Sequence, residues 1–122
     1  MTREFAARYT EAWCSQDAAS VAAFFSPDGS LRVNDGAPAM GRDAITAVVQ
    51  GFMTEFPDLE VRMDDLRVEE DCVVYHWTLT GTNTGHPVSI SGFEVWKSGA
   101  DGLIAESQGD FDSAEYQRQL SG

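Results

Sequence analysis

The stretch RDAITAVVQGFMTEFPDLEVRM, residues 42–63, contains the switch that decides the fold. Ile45, Val48, Val49, Phe52, Met53 and Phe56 recur at i, i+3, i+4, i+7, i+8 and i+11, one continuous apolar stripe along a helix. Pro57 ends that helix, because proline disfavours helical backbone in the residue before it. Beyond Pro57 the apolar period drops to two, with Leu59, Val61 and Met63 alternating with charges. A helical half is therefore followed by a stranded half.

Towards the N-terminus, Phe5, Tyr9 and Trp13 are spaced by four and share one face of an opening helix. Asp17 caps a second, short helix whose apolar side is Val21, Phe24 and Phe25. Ser26-Pro27-Asp28-Gly29 is read as a turn, and Leu31, Val33 and Asp35 then share one parity of a short strand. Towards the C-terminus, Val73, Tyr75, Trp77 and Leu79 alternate with Val74, His76, Thr78 and Thr80. Val88, Ile90, Glu94 and Trp96 share a parity on the next strand. Leu103 is expected to begin the last strand, with Leu103, Ala105, Ser107, Gly109 and Phe111 on its inner face. Asp112 and Glu115 form a capping box for a closing helix that carries Tyr116 and Leu120. Helices first and strands afterwards mean an α+β fold: a cone-shaped, curved antiparallel sheet wrapped around three N-terminal helices, with a short C-terminal helix. Such a cone leaves an open-mouthed cavity.

With 122 residues, 1–122 reads as a single domain with one core. A net charge of −12 repels phosphate backbones, so nucleic acid is excluded as a partner. No apolar run reaches the roughly 20 residues that span a bilayer, and the opening residues lack the apolar region of a secretory signal. The expectation is a cytoplasmic protein without a membrane partner, in which Cys14 and Cys72 are reduced and buried. Neither cysteine has metal-ligand spacing, so no metal is expected. The absence of a glycine-rich phosphate loop and of a cysteine cluster implies no redox cofactor.

Five local strings carry a resemblance: Ala7-Arg8-Tyr9 with Trp13 and Asp17, Phe25-Ser26-Pro27-Asp28-Gly29, Gly41-Arg42-Asp43-Ala44-Ile45, Phe93-Glu94-Val95-Trp96, and Asp101-Gly102-Leu103-Ile104-Ala105-Glu106. In order and spacing they resemble the nuclear transport factor 2-like superfamily, with its ketosteroid isomerases and SnoaL-like polyketide cyclases, whose fold is cystatin-like. The resemblance implies that Tyr9 and Glu94 occupy the positions of the two oxyanion donors of the isomerases. The isomerases' general-base aspartate lines up with Val33, and the cyclases' acid/base aspartate with Gly109. Asp35, two residues beyond Val33, is the nearby substitute.

The residues support a parallel reading of their own. Glu94 is a carboxylate set among apolar residues of the same parity, where desolvation favours its neutral form; the alternative is that it reaches water or an arginine. Asp35 is a candidate proton acceptor or a turn-former beside Gly36, and Tyr9 a candidate donor or a core aromatic. The catalytic candidates are thus Tyr9, Asp35 and Glu94. Trp13, Val33, Phe52, Tyr75, Trp77, Trp96, Ser107, Gly109 and Phe111 are expected to line the pocket. Three small residues in the row of the last strand leave room for a ligand. The function this implies is a small-molecule pocket protein, an acid–base isomerase or cyclase acting on a small apolar carbonyl compound; the alternative is a non-catalytic binding or scaffold module. Val74, His76, Phe93 and Val95 on the outer sheet face predict a homodimer.

Overall fold

The computed structural model describes residues 2–121. Helices α1 (Arg3–Cys14), α2 (Ala18–Ala22) and α3 (Arg42–Glu55) precede most of the sheet, and α4 (Ser113–Leu120) closes the chain. The strands are β1 (Phe25–Val33), β2 (Ala39–Met40), β3 (Glu60–Val68), β4 (Val73–Asn83), β5 (His86–Ser98) and β6 (Ile104–Phe111). They form one curved, unclosed six-stranded sheet in the order β2-β1-β6-β5-β4-β3. Its pairs are antiparallel except β1 with β6, which run parallel. The chain reaches β6 only after three long antiparallel strands, so it arrives beside β1 in the same direction.

The helical stripe is where the apolar spacing puts it. Ile45, Val49, Met53 and Phe56 are buried, with Phe52 half-buried beside them. The Asp17 side chain caps α2 by accepting from the Ala19 N–H, and Asp112 caps α4 by accepting from the Glu115 N–H. On α1, Tyr9 is fully buried, while Phe5 and Trp13 pack at its two sides.

Three local expectations are corrected. Ser26-Pro27-Asp28-Gly29 is not a free turn but lies inside β1, where the pairing slips between Phe25↔Ile104 and Ser30↔Glu106. Six residues of β1 span what three residues of β6 span, so the turn-forming residues are accommodated as a bulge. The inner row of β6 also changes. The β5 pairing shifts between Lys97↔Glu106 and Ser98↔Ile104, which turns Ile104 inwards in place of Leu103 and Ala105, and Ile104 is fully buried. Ser107 and Gly109, beyond the shift, are buried as their parity requires. Finally, Cys14 is exposed and Cys72 half-buried rather than both buried, although the Cys14 sulfur bonds both the N–H and the carbonyl of Val61. No helix among the described residues is long and apolar enough to cross a membrane.

Candidate functional site

The sheet register sets the site. Leu66, Tyr75, Glu94, Gly109 and Val33 are direct partners across β3, β4, β5, β6 and β1, so they form one transverse row over the inner face. The next row towards the closed end holds Val73, Trp96, Ser107 and Leu31. The row on the other side holds Met63, Trp77, Gly92 and Phe111.

Glu94 is 7% exposed, and donors surround its carboxyl. Ser107 Oγ lies 2.7 Å, Tyr9 Oη 3.0 Å and Trp96 Nε1 3.1 Å from Oε1. Oε2 receives only the longer arm of the tyrosine contact, at 3.2 Å. Burial pushes the carboxyl above the usual glutamate range, and the Ser107, Trp96 and Tyr9 hydrogen bonds offset only part of that push. When the carboxyl is protonated, Oε2 is the oxygen left to carry the proton, since three donors crowd Oε1. Tyr9 and Tyr75 are both raised in turn, mainly by burial, and stay protonated.

Glu94 borders a cavity walled by Trp13, Phe52, Tyr75, Trp77 and Phe111 together with Leu31, Val33, Val61, Leu79, Ile90 and Gly109. About 60 Å³ is open to the centres of water-sized molecules, room for on the order of four of them. Two edge-to-face ring pairs shape the walls: Trp13 with Phe52 and Trp77 with Phe111, each with centroids 6.1 Å apart.

Of the residues expected at the site, Glu94 and the liners Trp13, Val33, Phe52, Tyr75, Trp77, Gly109 and Phe111 come together. Trp96 and Ser107 do not line the cavity. They lie behind Glu94, where α1 fills the closed end of the cone, and both donate to its carboxyl. Tyr9 is likewise outside the lining set, and its hydroxyl is spent on Glu94. Asp35 is separated from the site altogether. Asn34 takes a left-handed backbone (φ 52°), donates its N–H to the Gly109 carbonyl and accepts from the Phe111 N–H. That anchored reversal ends β1 at Val33, two residues short of Asp35, and leaves Asp35 exposed in the turn. Leu31, Val61, Leu79 and Ile90 were missed as liners, although Leu31, Leu79 and Ile90 share strand parity with residues that were expected to line. His76 packs on Phe93 on the outer face, and His86 begins β5. No cluster of metal-ligating side chains occurs among the described residues.

The raised Glu94 pKa has a consequence for stability. The folded state holds this proton more tightly than the unfolded chain, whose glutamates titrate at about 4.3. Its contribution is therefore full below that pH and is lost as pH rises through the folded-state value. Glu94→Gln should accordingly gain on wild type as pH is raised from about 5 to about 8. Urea midpoints of both proteins over that range measure the difference; parallel curves would show that Glu94 titrates normally.

A family model described as SnoaL-like domain matches residues 6–107. Among solved structures, a protein from Catenulispora acidiphila with a ketosteroid isomerase-like fold, in complex with trimethylamine, superposes with a TM-score of 0.88 at 17% identity, covering 99% of this chain and 95% of that one. A candidate SnoaL-like polyketide cyclase from Jannaschia gives 0.83 at 24% identity, covering 98% and 91%. TerC, co-crystallised with polyporic acid, gives 0.82 at 15% identity, covering 98% of each chain. At these identities the likeness is one of fold. No curated protein gives a significant match.

Proposed function

Since the chain belongs to the SnoaL-like domain family, we propose that it is a small-molecule pocket protein whose chemistry rests on Glu94 acting as a neutral acid. Its Oε2 proton points at the oxygen of a small apolar carbonyl compound and stabilises charge developing there, as an isomerase or cyclase requires. The observation that carries this reading is the carboxyl itself: it is the sole one among the lining residues, buried, and oriented by Ser107, Trp96 and Tyr9. Tyr9 acts through Glu94 as a positioning residue. Two relatives of this fold were crystallised with small ligands, which supports a ligand role for the cavity.

A second reading, non-catalytic binding, is favoured by one feature. Val33 and Gly109, where the resemblance implies aspartates, sit in the same row as Glu94 and carry no proton acceptor. Asp35, the substitute base, lies in the exposed turn.

Cyclopentanone and cyclopentane test the role of the acid. Glu94→Gln keeps a donor and should bind the ketone nearly as wild type does. Glu94→Leu should lose about 1–3 kcal/mol for the ketone, the cost of leaving a buried acceptor unpaired, and little for the hydrocarbon. Equal losses for both ligands would mean that Glu94 only shapes the cavity.

The outer face supports a homodimer as the assembled form. Val74, His76, Phe93 and Val95 form a half-buried patch at the centre of β4 and β5, and a two-fold pair is the commonest way to cover such a face. Light scattering at micromolar concentration should return twice the chain mass; a monomer mass would end this reading.

A further inference from the structure

The walls of this cavity carry a second chemical preference. None of the chain's eight lysines and arginines lines it, so an anionic ligand would meet no compensating charge. A cation would meet five aromatic rings, a carboxyl, and a protein of net charge −12 that draws cations towards it. Aromatic faces attract cations through the ring quadrupole, most strongly where water is excluded. The space available suits a charge carrying a few methyl groups and little more.

We propose that the pocket takes small alkylammonium cations, held against Trp13, Phe52, Tyr75, Trp77 and Phe111 with their charge towards the Glu94 carboxyl. This rests on the reading of the cavity as the ligand site and names a ligand class for it. Binding ionises Glu94: the Oε2–H bond breaks, the electron pair stays on the carboxylate, and the proton leaves to solvent. Oε1 already has three donors that hold the resulting anion. The groups facing Glu94 do not titrate with it. Tyr9 from α1 and Tyr75 from β4 are kept protonated by burial; β6 contributes Ser107 and Gly109, β5 Trp96, and β1 Leu31 and Val33.

Isothermal titration with tetramethylammonium, a permanent cation, separates this from the carbonyl reading. At physiological ionic strength, which screens the acidic surface, its affinity should rise as pH goes from about 5 to about 9, the span over which buried carboxyls titrate. The heat of binding should vary with the ionisation enthalpy of the buffer, because a proton is released. Glu94→Gln should weaken the cation about tenfold or more and abolish the proton release. Trp77→Leu should weaken the cation several-fold and cyclopentanone less, which tests the ring contribution in a variant that keeps the carboxyl. If cyclopentanone binds wild type and tetramethylammonium does not, the cation proposal is overturned and the carbonyl reading stands. If neither binds, the cavity is not a ligand site and both fall. Cation binding that is independent of pH and unchanged in Glu94→Gln would place the ion on the acidic surface and overturn the proposal.

Discussion

Replacing Trp96 with alanine is expected to lower the unfolding free energy by about 3–5 kcal/mol, the range for removing a large buried aromatic. Domains of this size have only about 5–15 kcal/mol in all, so the variant should lose a large share of its stability. Trp96 is fully buried and joins several elements. Its ring stacks on Tyr75 with centroids 4.8 Å apart and meets Tyr9 and Phe5 edge-on at 5.0 and 5.9 Å. Its Nε1 also donates to Glu94, so truncation opens a void and removes one of the donors that hold a buried carboxyl. Trp96→Phe separates the two effects, since it keeps much of the ring packing and loses the donor. Urea denaturation of the two variants makes the comparison. A loss under about 1 kcal/mol in the alanine variant, the typical cost of an unremarkable substitution, would show that the closed end of the cone is not the core described here.

The second large effect is expected at a glycine. Gly92 stands in register between Trp77 of β4 and Phe111 of β6. A Cβ there would overlap the Asp110 carbonyl oxygen and lie 2.8 Å from Trp77 Cζ2 and 3.0 Å from Phe111 Cβ. Backbone cannot yield as a flexible side chain does, so Gly92→Ala should cost about 1–3 kcal/mol or more. It should also displace Trp77 and Phe111, two walls of the cavity, and weaken cyclopentanone binding. Gly109 supplies the contrast in the neighbouring row, on the adjacent strand. A Cβ at 109 meets Glu94 Cγ at 3.6 Å, an ordinary contact, so Gly109→Ala should leave stability nearly unchanged. Equal costs at the two positions, read from denaturation midpoints, would contradict the register.

Much of this was legible beforehand because side-chain direction is a local property. A strand alternates its faces every residue and a helix every 3.6, so periodicity alone placed Tyr75, Trp77 and Glu94 inside and Val74 and His76 outside. Proline and capping chemistry marked the ends of α2, α3 and α4 for the same reason: they act within a few residues. The carboxyl on an apolar face at position 94 was visible as an anomaly, and burial is what gives it its raised pKa.

Parity stops being informative where pairing to a distant strand overrides it. The left-handed Asn34 is held by Gly109 and Phe111, more than seventy residues away, and that contact alone decides that Asp35 leaves the site. The pairing shift at the start of β6 likewise depends on β5, and it exchanges Leu103 and Ala105 for Ile104 in the core.

The sequence by itself determined the order of the helices and the longer strands, the face to which nearly every apolar residue points, and the one acidic residue that faces the interior. Only the tertiary structure decided depth: which inward residues border open space and which fill the closed end. Alternation reports direction but not position along the axis of the cone, and that position depends on which helix packs over each row. Because α1 covers Trp96 and Ser107 but leaves Glu94 open on one side, two expected liners became the donors that hold the acid in place.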